Sequence, residues 1–221
     1  MSTANTRNRL AGALGQCFAC AILERTLGKN LTFNYWNDAD KSMSIDLQFN
    51  CQRIMGVFSK GENVFIDVKA SLDYRNCTVQ TVNPMINQAN LNGHGYFMFV
   101  FRDERWIGVC RSTDSFIQTF GGRMKNGGPG FFIVRPDMFS DMAASRPDIY
   151  WKMPLPENDW YGTTFGEFYR RYSKEFAGFE KAGDGEGRYV NEFMLDFCRC
   201  KAGLNCDIEN QSTYHMVRGR T

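Results

Sequence analysis

The stretch Val64-Phe65-Ile66-Asp67-Val68-Lys69-Ala70-Ser71 decides how the rest of the chain is read. Its residues alternate with the period of a strand, so Val64, Ile66 and Val68 point into one layer while Asp67 and Lys69 stand side by side on the other face. An acid and a lysine held in this way can cooperate. The Asp67 carboxylate and the Val68 backbone carbonyl offer hard oxygen ligands to Mg²⁺, and Lys69 can orient a water or steady negative charge beside them. The same D-x-K spacing also arises as a surface ion pair on an edge strand, where it does no chemistry.

On the N-terminal side, Arg53 to Phe58 and Val64 to Ala70 flank Ser59-Lys60-Gly61-Glu62-Asn63, a polar connector of hairpin length that predicts an antiparallel pair. Further back, Leu31 to Trp36 and Ser44 to Phe49 read as short strands, and Leu10 to Leu27 as an amphipathic helix stopped at Gly28. On the C-terminal side, Pro84 to Asn92 reads as a short helix and Tyr96 to Phe101 as a strand covered on both faces. Strands are also expected at Trp106 to Cys110 and Phe131 to Val134, on either side of the Gly-rich segment 121–130. Thr164 and Glu167 have capping-box spacing ahead of a helix, and Arg188 to Cys198 reads as another. The expected architecture is α+β, a central mixed sheet flanked by helices. It forms one domain over 1–221, with a core over about 10–140 and a helical extension over about 141–221.

The order of strand, turn, D-x-K strand, Gln-bearing helix and apolar strand resembles the PD-(D/E)XK nuclease superfamily, and within it the bacterial Holliday-junction resolvases. The residues that carry the likeness are Gly56 to Gly61, Phe65 to Ser71, Asn87-Gln88, and Gly93 to Val100. The resemblance implies a restriction-endonuclease-like core and metal-dependent hydrolysis of DNA phosphodiesters, in recombination or repair. Asp67 and Lys69 then take the places of the D-x-K pair, and Gln88 that of the helix glutamine, with Gln80 as competitor. Where the resolvase-like pattern has a second metal carboxylate, this chain has Arg53, a positive charge suited to DNA instead. A turn centred near Gly61 sets Asp67 opposite roughly residue 55, where no acid lies near. Asp46 is the best substitute, brought in by a bulge or a separate strand. The N-terminal helix of such nucleases often bears a Glu that tunes the metal site. Glu24 is the candidate here, although its register favours a solvent-facing position.

Eight cysteines in a chain with no export signal read as reduced thiols. Cys20, Cys198, Cys200 and Cys206 are spaced almost as in the iron-staple nucleases of the same superfamily, which would make them ligands of an iron–sulfur cluster or of Zn²⁺. The plainer reading makes Cys17 and Cys20 core packing residues. Arg123 and Lys125 lie in the Gly-rich segment, where they can meet a phosphate backbone. Two histidines, His94 and His215, are too few for a two-histidine zinc site, and no Walker A motif, Rossmann fingerprint or Ser-His-Asp set can be assembled. The net charge of +2 does not by itself indicate a nucleic-acid partner.

With no continuous apolar run of membrane-spanning length and no signal-peptide core at the start, the expected location is the cytoplasm, without a membrane partner. Mg²⁺ is the expected cofactor, with Mn²⁺ able to substitute, and DNA the expected partner, bound by a monomer or homodimer. A protein that keeps the nuclease fold but only binds DNA or assembles with it is the alternative, and Arg53 in place of an acid favours it.

Overall fold

The computed structural model describes residues 3–34, 43–72, 76–80, 83, 86, 91–113, 130–157, 164–176 and 184–204. Its central strand, β3 (Asn63–Ala70), carries Asp67 and follows α1 (Thr3–Leu27), β1 (Thr32–Phe33) and β2 (Leu47–Asn50). Then come β4 (Cys77–Gln80), β5 (Gly95–Val100), β6 (Trp106–Arg111), β7 (Phe131–Val134), α2 (Pro136–Ser145) and β8 (Tyr150–Pro154). The chain continues through α3 (Phe165–Tyr172), a short 3-10 helix (Ser173–Phe176) and α4 (Asp184–Lys201). Six strands form one sheet in the order β1-β2-β3-β5-β6-β8, and β4 pairs with β7 as a separate ribbon. Within the large sheet β3 and β5 run parallel, and the other neighbouring pairs are antiparallel. The fold is α+β around a mixed central sheet.

β3 alternates as its sequence requires. Val64, Ile66 and Val68 enter a core that also holds Leu14, Phe18 and Ile22 of α1 and Phe165 and Phe168 of α3. Phe65 turns to the opposite face, towards a second cluster built on Phe97, Phe99, Phe101 and Phe139 beneath the β4–β7 ribbon. β5 is buried along its whole length between β3 and β6, which is why its sequence is an unbroken apolar run. Phe139 anchors α2 in the second cluster, its ring 5.9 Å from Phe99, 5.7 Å from Trp106 and 5.6 Å from Tyr150.

α1 departs from the expected amphipathic helix. From Cys17 to Glu24 every residue is buried, because the sheet lies on one flank and α3 and α4 pack on the others. By length and composition Arg9–Leu27 could cross a membrane, but 67% of that apolar window is buried inside the fold. Gly15 sets how closely α1 lies on the sheet, since a Cβ there would come within 2.1 Å of the Ala70 Cβ. The helix therefore presses on the end of β3 next to the D-x-K residues.

Several expectations are corrected. The hairpin partner of β3 is β2, with Leu47 opposite Ile66 and Asn50 opposite Asn63, and Arg53 to Phe58 contributes only a Met55–Phe58 bridge inside the connecting loop. β3 is thus an interior strand, and the edge-strand reading of its ion pair falls away. Among the described residues after 140, α3, the 3-10 helix and α4 are helical, while β8 adds a strand that completes the main sheet. Of the helix expected over Pro84 to Asn92, most residues lie outside those described, and Leu91 to Gly93 form a turn.

Candidate functional site

Asp46 and Asp67 come together, by a route the hairpin arithmetic did not foresee. Leu47 pairs with Ile66 in the ladder, yet the Asp46 N–H also donates to the Ile66 carbonyl at 2.9 Å, so Asp46 and Leu47 both address the single residue Ile66. That is the irregularity of a bulge. It turns the Asp46 side chain along β3, where Oδ2 accepts from the Val68 N–H at 2.7 Å. Asp46 thereby brackets Asp67, with its backbone on residue 66 and its carboxylate on residue 68.

The two carboxylates are 3% and 1% exposed, so each needs partners, and each oxygen has at least one. Asp46 Oδ1 accepts from Gln16 Nε2 at 3.0 Å, which ties α1 to the site. Asp67 Oδ1 is paired with Lys69 Nζ at 2.5 Å, and its Oδ2 accepts from Asn83 Nδ2 at 2.7 Å. A carboxylate oxygen carries two lone pairs, so it can accept a hydrogen bond and still face a cation. Gln16 adds an acceptor: its Oε1 is buried and makes no hydrogen bond. An orphaned amide oxygen on the side chain that holds Asp46 suits a hard, partly hydrated cation such as Mg²⁺. Among the described residues no third acid, histidine or cysteine joins the pair. Further ligands would have to be the Gln16 amide oxygen, the Val68 carbonyl, which points to the same side of β3 as its N–H, or water.

Sequence reasoning missed Gln16 and Asn83. Gln16 is a lone amide in an otherwise apolar stretch of α1, directly after the glycine of closest approach, and that was its available signal. Asn83 gave none, being one polar residue in a loop. Gln80, the competitor for the glutamine role, is exposed on β4, and Gln88 lies outside the described residues.

Glu24 is not at this site and is not solvent-facing. It is fully buried eight residues beyond Gln16, about 12 Å further along the helix. Its carboxylate accepts from the Leu31 N–H at 2.8 Å and, in a two-pronged contact, from Arg199 Nε at 2.7 Å and Nη2 at 2.6 Å. A charged side chain is buried here because its partner arrives from α4. Arg53 is exposed at the surface, its Nη2 3.3 Å from the Thr26 carbonyl, while Arg123 and Lys125 lie outside the described residues.

Cys17, Cys20 and Cys198 are buried in the core that α1 and α4 share, and burial pushes all three thiols well above the usual range. Burial of this depth disfavours the thiolate form of each. Cys200 is disulfide-bonded, against the expectation of reduced thiols throughout, and Cys206 lies outside the described residues.

A second polar cluster lies at the opposite end of β3. Glu62 Oε1 accepts from the Tyr96 hydroxyl at 2.6 Å and lies 3.1 Å from His94 Nδ1 and 3.4 Å from Arg111 Nη2, while Oε2 accepts from the Ser59 N–H at 2.9 Å. Burial would raise the Glu62 carboxyl, but these partners outweigh it and hold the group below its ordinary range. The cluster fastens the β2–β3 loop to β5 and β6.

No protein-family model matches the chain, and neither a curated protein nor a solved structure matches it.

Proposed function

We propose that the chain is a Mg²⁺-dependent DNA endonuclease with a restriction-endonuclease-like core. The observation that carries this reading is the bracketing of Asp67 by Asp46, with Lys69 paired to the same carboxylate. Support for the core comes from the order of the elements: a helix, an antiparallel pair bearing both acids, then a crossover to a parallel neighbour. Asp46, Asp67 and Val68 would hold the metal, which when bound supplies a Lewis acid and an activated water for phosphodiester hydrolysis. Lys69 neutralises charge beside the attacked phosphate, Asn83 fixes the rotation of the Asp67 carboxylate, and Gln16 fixes that of Asp46.

The test is cleavage of duplex, single-stranded, flap and four-way-junction DNA with Mg²⁺ or Mn²⁺. Asp67→Asn and Asp46→Asn should each lower cleavage by at least about 10²-fold, on the scale of losing one electrostatic catalytic group. DNA binding should be kept or tightened, because a negative charge near the phosphates is gone. Cleavage that survives Asp67→Asn would put the active site elsewhere. A second reading, a nuclease fold retained as a DNA-binding or assembly module, is favoured by one observation: no third carboxylate joins the pair among the described residues. It takes over if the wild type binds DNA and cuts none of these substrates.

A further inference from the structure

The loop between β2 and β3 holds Ile54, which at 79% has the greatest exposure of the large hydrophobic side chains among the described residues. The loop is firmly held. Met55 and Phe58 exchange backbone hydrogen bonds of 3.1 and 3.0 Å, and Cys51 Sγ donates to the Arg53 carbonyl at 2.8 Å. Gly56 lies against Trp151 so closely that a Cβ would come within 2.2 Å of the ring, and Val57 and Phe58 are buried. Ile54 is therefore presented to solvent by a rigid support.

Cations lie along the loop and at its base. Lys60 is exposed with no partner among the described residues. Lys29 reaches the Asn50 carbonyl and Arg53 the Thr26 carbonyl, so neither spends its charge on an acid. The acid of the loop, Glu62, is buried and faces Tyr96, His94 and Arg111. An aliphatic tip fringed by uncompensated cations complements DNA, whose phosphates take the cations and whose base steps admit an apolar wedge such as Ile. The four residue steps from Asp46 to Asn50 span about 13 Å, so the loop lies well within one turn of DNA, about 34 Å, of the aspartate pair.

We infer that Ile54 is a wedge for a weakened base step, such as a nick, a flap base or a branch point, while Lys29, Arg53 and Lys60 hold the flanking phosphates. The inference rests on the DNA reading of the aspartate site and adds the substrate feature it selects. The experiment uses the full chain in EDTA, so that binding is measured without cleavage. Its probes are intact, nicked and four-way-junction DNA of one sequence, with 2-aminopurine placed around the discontinuity. Wild type should bind the nicked and branched forms more tightly and raise the fluorescence at one step. Ile54→Ala should weaken those two forms about tenfold, equivalent to about 1.4 kcal/mol, remove the fluorescence rise and leave the intact duplex within about twofold. Lys60→Ala should weaken all three alike and lower the salt slope by about one. If Ile54→Ala changes none of these values while Asp67-dependent cleavage persists, this inference falls alone. Unstacking without cleavage supports it and overturns the nuclease reading, whereas a wild type that binds no DNA overturns both. Concentration-dependent self-association that is lost in Ile54→Ser would overturn it in favour of a protein contact.

Discussion

Replacing Arg199 by alanine would remove both prongs of the contact with Glu24 while leaving that carboxylate fully buried. Breaking one side of a buried ion pair costs about 3–5 kcal/mol, mainly because the remaining charge has lost its partner. Glu24 would keep the Leu31 N–H, 2.8 Å from Oε1, and this points to the lower end, about 3 kcal/mol. For a chain of this size the loss corresponds to a fall in Tm of roughly 6–12 °C. Urea unfolding followed by tryptophan fluorescence would measure it, with an unchanged m-value showing that only stability has altered. The double variant Glu24→Leu/Arg199→Met should recover most of the loss, since an apolar pair of similar volume removes the stranded charge. A cost under about 1 kcal/mol for Arg199→Ala, or a double variant no more stable than the single one, would refute the assignment of Glu24 and Arg199 as a structural pair.

Glu62 makes stability depend on pH. Its folded pKa lies below the usual 4.5, because hydrogen bonds from Tyr96, Ser59 and His94 and the charge of Arg111 outweigh burial. Its contribution is therefore complete above about pH 4.5 and is lost as the pH falls through the lower folded value. Glu62→Gln should flatten the acid limb of urea midpoints measured between about pH 3 and 7, and parallel limbs would contradict this. Gly56→Ala places a Cβ against the Trp151 ring at φ +55°, and should cost roughly 2–4 kcal/mol by thermal unfolding. A cost below about 0.5 kcal/mol would show that the loop under Ile54 is slack.

The D-x-K strand, the buried β5 run and the helix start at Thr164 were legible because each is a local pattern. The capping box, for example, needs only residues 164 and 167, and it forms as written. The hairpin partner was misread because Arg53 to Phe58 mimics a strand in composition, although Val57 and Phe58 are buried in succession and Ile54 is exposed. Leu47 to Asn50 shows the alternation that a strand needs, and its pairing with β3 brings Asp46 to the site. β8 was missed since Tyr150 to Pro154 ends in proline, which an edge strand tolerates. Glu24 was misplaced for a different reason. Charge alone argues for exposure, and nothing near it in sequence reveals an arginine 175 residues away.

That separation has a bearing on how the protein is made. At roughly 5–20 residues per second, a ribosome that has finished residue 24 needs about 9–35 s to reach residue 199. Through that interval α1, buried from Cys17 to Glu24 in the finished fold, carries a carboxylate without its arginine partner, and the helix cannot settle against the sheet at full depth. Completion of the core therefore waits on α4, and the nascent chain would expose apolar surface to chaperones until that helix emerges.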